Sequence, residues 1–158
     1  MRGKCLRRAV GLGAIVVGLA VASSASAMTA TLGEPELIGR VALTVPVTVS
    51  CDAPSPGLVV YSQSVSVVVE QAAGKEIARG SASIFGFFPA LLFPCDGTPA
   101  TLSVSVLADP TGPPFHGGRA VARVTVTADA GVPLPFGGFT SPFERQNAVA
   151  GPVEVRLR

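Results

Sequence analysis

From Val41 to Cys51 the chain alternates strictly: Val41, Leu43, Val45, Val47, Val49 and Cys51 are apolar, and Ala42, Thr44, Pro46, Thr48 and Ser50 lie between them. A period of two marks a strand with one face against a core and one toward water, because successive side chains point to opposite sides of the backbone. The pattern recurs. Val59, Tyr61, Val65, Val67 and Val69 share one face in residues 58–71, and Ala73-Gly74 marks a tight turn into a partner strand over 75–83. Leu102, Val104 and Val106 alternate with Ser103 and Ser105, Ala120 to Ala128 alternate with Arg123, Thr125 and Thr127, and Val153, Val155 and Leu157 close the chain. Helical periodicity is absent from this region. With a short opening strand near 29–33 and another inside 84–93, the count reaches seven or eight strands separated by Gly, Pro and Asp turns, the signature of an all-β antiparallel sandwich. Pro46 cannot donate to a ladder and so points to an edge position. The strands are short and half polar, unlike the roughly ten-residue, aromatic-girdled spans of a membrane barrel.

The first 27 residues have another character. Arg2, Lys4, Arg7 and Arg8 precede an uncharged run from Ala9 to Ala22, and Ala25-Ser26-Ala27 follows. A basic start, a short apolar core and a small-residue triplet are the three parts of a cleavable export signal. The apolar run falls short of the roughly 20 residues that span a bilayer. Cleavage is expected before Met28, leaving one domain over 28–158 that is secreted or held in the cell envelope, with no stable membrane span. The Arg7-Arg8 pair also admits a twin-arginine route. Loss of the leader removes four of the twelve Lys and Arg and none of the ten Asp and Glu, so eight basic residues face ten acidic ones and the net charge becomes −2. No basic cluster remains to neutralise a run of phosphates, which argues against nucleic acid as a partner.

Cys5 leaves with the leader, and Cys51 and Cys95 remain as an even pair in an oxidising compartment, where they are expected to form a disulfide. Its loop of about 44 residues is worth on the order of 3 to 4 kcal/mol on chain-entropy grounds. With a single histidine and no Cys-x-x-Cys, zinc spacing is absent.

The run Val47-Thr48-Val49-Ser50-Cys51, the Val-rich strand ending in Glu70-Gln71, the Cys95-Asp96-Gly97 turn and Phe115-x-x-Gly118-x-Ala120-x-Ala122 resemble small exported actinobacterial proteins with immunoglobulin-like domains of unknown function. The resemblance covers roughly residues 41–128. It implies an immunoglobulin-like sandwich outside the cytoplasm and carries no catalytic residues. The chain departs from the antibody pattern, since it has no Trp to pack on the bridge.

No enzyme is expected. His116, the one histidine, lies in a Pro/Gly-rich loop and reads as an exposed turn residue, and no Gly-x-Ser-x-Gly elbow presents a serine. A disulfide would draw Asp52 and Asp96 together through their cysteine neighbours. That pair is a weak candidate for calcium with help from carbonyls, but aspartate after a strand more often makes a turn by bonding nearby backbone. No cofactor is implied.

All eight Phe lie between residues 85 and 143. The stretch 84–94 and the stretch 131–143 are apolar and broken by Gly and Pro, and 129–151 is long for a loop in a compact domain. The phenylalanines either fill the core between small Val and Ala side chains, or form an apolar surface from Phe85, Phe87, Phe88, Phe136 and Phe139, the kind that marks a contact site. The expected function is therefore a secreted, non-enzymatic interaction domain whose partner is a protein or a small apolar ligand. The alternatives are a carrier with an enclosed apolar pocket and an inhibitor of a secreted protease presenting a rigid loop at 110–114 or 131–143.

Overall fold

A computed structural model describes residues 27–158; the basic start, the apolar run and most of the cleavage triplet lie outside the described residues. Among the described residues eight strands are present: β1 (Met28–Leu32), β2 (Glu36–Ile38), β3 (Ala42–Cys51), β4 (Val59–Ala73), β5 (Glu76–Phe87), β6 (Ala100–Ala108), β7 (Gly118–Pro133) and β8 (Phe139–Leu157). Every pairing is antiparallel, and the hydrogen-bonded order is β1-β3-β6-β5-β4-β7-β8, with β2 also on β3.

The expected sandwich has two separate sheets, whereas this path is continuous and nearly closes on itself like a barrel. Strand β5 makes the join. It pairs with β4 from Ser62↔Phe87 to Ala73↔Glu76 but with β6 only at Gly80↔Ala108 and Ser81↔Leu107. Gly80 permits the join, because a Cβ there would sit 2.5 Å from the Leu107 carbonyl and 2.9 Å from the Phe115 ring. At the other end Leu37 N–H donates to the Arg158 carbonyl at 2.6 Å, drawing the β2 segment to the chain's last residue.

The alternation of β3 is realised with its inward side chains, Leu43, Val45, Val47, Val49 and Cys51, at 0–1 % exposure. They share one core with Val65, Val67 and Val69 of β4, their ladder neighbours Val104 and Val106 of β6, and Ala120, Ala122, Val124, Val126 and Ala128 of β7. Val41 lies just before the strand and is exposed.

Pro46 is not on an edge: β3 pairs with β6 on one side and with β1 and β2 on the other. The missing N–H is tolerated because Pro46 faces the break between β1 and β2, where its carbonyl accepts from Gly33 N–H at 2.8 Å. The tight turn is Gly74-Lys75, between the paired residues Ala73 and Glu76, with Gly74 at φ +68°.

Most of 129–151 is strand, not loop. β7 and β8 form one long hairpin from Pro133↔Phe139 to Gly118↔Leu157, with irregularities between Ala122 and Val124 and between Ala130 and Val132. The inward residues in the middle of β8 are Gln146, Ala148 and Ala150, while Val149 points out, so no large apolar alternation announces the strand. Among the described residues no helix is long and apolar enough to cross a membrane.

Candidate functional site

Strand parity places the phenylalanines of β5, and the turns and strands beyond it place the others. On β5 the inward positions are Ala78, Gly80, Ala82, Ile84 and Gly86, which leaves Phe85 and Phe87 pointing out, each 62 % exposed. The chain then turns at Phe88-Pro89 and folds back, placing Leu92 over Gly86, where a Cβ would meet the Leu92 nitrogen at 2.7 Å, and burying Phe93 in the core. Phe93 and Phe115 are core residues; Phe85, Phe87, Phe88, Phe136 and Phe143 are exposed, Phe136 completely so at the hairpin tip, and Phe139 is half-buried.

The two apolar stretches meet on the outside of the molecule. Phe88 N–H donates to the Tyr61 carbonyl at 3.0 Å, and the Phe88 ring stands edge-on to Phe139 with centroids 6.3 Å apart. Tyr61 stacks on Phe139 at 4.7 Å and meets Phe143 edge-on at 6.2 Å. Gly131 lies under this group, since a Cβ there would strike the Phe143 ring at 2.9 Å. Aromatic pairs in offset or edge-on contact gain about 0.5 to 1.5 kcal/mol beyond their buried area, so the rings hold one another in place.

Tyr61 and Phe143 complete the group, and the period-two reading put Tyr61 on the wrong face. A register irregularity between Val60 and Ser62 against β7 makes the difference. It puts Val60 on the buried face shared with Gln63, Val65, Val67 and Val69 and turns Tyr61 outward. A bulge of one residue reverses the parity of the residues on one side of it, here Val59 to Tyr61 relative to Gln63 onward, and nothing in the local alternation signals it.

The border of the cluster is polar and internally satisfied. Arg145 Nε lies 2.6 Å from Asp129 Oδ1, and Ser62 Oγ donates to Asp129 Oδ2 at 3.3 Å. The hydrogen bond and charge of Asp129 push the Arg145 guanidinium above its ordinary value, so it stays cationic. Beyond this pair the outer face of β4, β5 and β7 carries hydroxyls in rows, with Ser64 and Thr127 sharing a hydrogen bond of 2.7 Å and Ser83 Oγ donating to Ser66 Oγ at 3.1 Å. No charged residue occurs in 80–95 or in 130–143.

Cys51 and Cys95 form the expected disulfide. Asp52 and Asp96 follow the two cysteines, and each carboxylate takes a backbone N–H: Asp52 Oδ2 accepts from Ala27 at 2.9 Å, and Asp96 Oδ1 from Thr98 at 2.8 Å. The Thr98 N–H, more than any other contact, holds the Asp96 carboxyl below the usual carboxylate range. Among the described residues no three His, Cys, Asp or Glu side chains gather as a metal-holding group. His116 is only partly exposed. Its backbone N–H donates to Gln71 Oε1 at 2.9 Å, and its ring nitrogens lie 3.0 Å from the Gly117 carbonyl oxygen and 3.2 Å from that of Ala72.

Comparison of the chain with protein-family models, with curated proteins and with solved structures finds no match.

Proposed function

We propose that the chain is an exported, non-enzymatic interaction domain that docks a partner through the aromatic cluster of Tyr61, Phe88, Phe139 and Phe143 and the exposed Phe85, Phe87 and Phe136 of the same two segments. The observation that carries this reading is the meeting of two charge-free segments, distant in sequence, on one solvent-facing surface. Enrichment in aromatic side chains and depletion of charge distinguish the centre of a protein contact from ordinary surface. Water-exposed phenylalanine is unfavourable by about 1.5 to 3 kcal/mol per side chain relative to burial, so a surface that gathers several of them gains by being covered. Because the rings stand outside the core instead of lining an enclosed space, a partner's surface suits them better than a carried small molecule.

The domain is read as immunoglobulin-like, akin to the small exported actinobacterial proteins. Immunoglobulin-like domains set their first, second, fifth and fourth strands in one layer and their third, sixth and seventh in the other. With β2 set aside, β1-β3-β6 and β4-β7-β8 follow that order, while β5 departs from it by pairing with β4 along its length and with β6 only at Gly80 and Ser81. The bridge differs, running from the second strand to a connecting loop. Export agrees with the disulfide, since such bonds persist outside the reducing cytoplasm.

The test uses a hydrophobic dye and thermal melting. The folded protein should enhance the dye's fluorescence, and Phe87→Ser and Phe136→Ser should each remove much of the signal with little change in Tm, because both side chains are already in water. A folded protein that leaves the dye silent, or variants that lose signal only by unfolding, would refute the docking surface.

A further inference from the structure

The leader's expected cleavage point abuts a strand of the sheet. Met28, the first residue after that bond, is paired with Cys51 and only 9 % exposed, with its side chain in the core. Thr29 and Ala30 continue the ladder against Ser50 and Val49, and Ala30 and Leu32 pack on the core. On the other side of the bond Ala27 N–H is held by Asp52 Oδ2 at 2.9 Å. The disulfide leaves from Cys51, directly opposite Met28, and so stiffens the part of β3 on which β1 lies.

Peptidases that read an extended segment add main-chain hydrogen bonds to it and take alternate side chains into pockets. Here the residues following the bond have their main chain engaged on β3 and alternate side chains turned into the domain. Access therefore requires β1 to leave the sheet and Met28 to leave the core. Hydrolysis places water's hydroxyl on the Ala27 carbonyl carbon and its proton on the Met28 nitrogen, and both atoms must be reachable.

We infer that the Ala27–Met28 bond is cut before β1 joins the sheet, and that the chain leaves the cytoplasm unfolded. The inference rests on the reading of residues 1–27 as a leader. It selects between the two routes that the Arg7-Arg8 pair leaves open, because a route that carries folded proteins would present the bond already paired. A second observation agrees: the Cys51–Cys95 bridge belongs to the folded domain, and the cytoplasm disfavours its formation before transport.

The full-length precursor is offered to purified signal peptidase in detergent under two conditions, oxidised and folded, or freshly diluted from urea with reductant. The unfolded precursor should give a product beginning at Met28, and the folded one should be cut at least about tenfold more slowly, as expected when cleavage waits on local opening. An Ala30→Asp precursor, which places a charge where β1 meets the core, should be cut at nearly the unfolded rate while retaining its disulfide. Equal rates for folded and unfolded wild-type chains overturn the inference. Failure of the unfolded chain to yield Met28 overturns the leader reading instead. In cells, Arg7→Lys with Arg8→Lys should leave export intact, and its loss would overturn the unfolded route.

Discussion

Three buried glutamines carry more of this structure than their chemistry suggests. Gln63, Gln71 and Gln146 are each at most 6 % exposed, and each ties a strand to a loop. Gln63 is the fullest case. Its Nε2 donates to the Phe93 carbonyl at 2.8 Å, and its Oε1 accepts from Leu92 N–H at 2.8 Å and Phe93 N–H at 3.1 Å. A loop that folds back over a sheet carries backbone groups it cannot pair with itself, and one side-chain amide, donor and acceptor together, can satisfy several of them. Gln71 does the same for the loop at His116, donating to its carbonyl at 2.7 Å. Gln63→Leu should therefore destabilise the protein by about 2 to 3 kcal/mol, because the loop's N–H groups would stay buried without acceptors. Urea unfolding followed by circular dichroism measures this, and a change within error would mean that water replaces the amide. In the sequence these residues read as polar positions in half-polar strands. Their inward direction follows strand parity, which Gln63 shares with Val65, Val67 and Val69, but polarity hides it from a pattern built on apolar residues.

At the scale of elements, legibility followed side-chain size. β3 could be read directly because five successive inward positions are apolar. β8 could not, since its inward Gln146, Ala148 and Ala150 are polar or small, and the strand exists because β7 offers a partner along most of its length. The joining of β5 to both β4 and β6 was also hidden, as it depends on a residue without a side chain. Gly80→Ala should loosen that join and cost about 1 to 3 kcal/mol, the range for forcing a methyl into a filled site. Gly112→Ala, where the nearest atoms lie 3.8 Å away, is the matched control and should change stability little. Equal effects of the two substitutions in a denaturant titration would show that the close approach at Gly80 carries no weight.

For the molecule as a whole, the disulfide fastens the end of β3 to the connection between β5 and β6, on the side where that connection is otherwise held by Gln63. Replacing both cysteines with alanine should lower stability by about 2 to 4 kcal/mol, and reduction of the native protein should reproduce the loss. A double variant that unfolds at the native urea midpoint would show that the glutamine contacts alone hold the loop. The sequence by itself determined the all-β character, the cysteine pairing and most of the core valines, though Val41 and Val153, placed by alternation on apolar faces, are exposed and Val60 is buried in place of Val59. These follow from local rules: a period of two, an even cysteine count, and the burial of branched apolar side chains. Which phenylalanines enter the core and which gather outside was decided only by tertiary structure. That outcome depends on a one-residue bulge beside Tyr61, on a loop folding back over Gly86, and on β7 and β8 bringing Phe139 and Phe143 to Tyr61. Each is a relation between segments distant in the chain, and a local pattern holds no information about which distant backbone will pack against it.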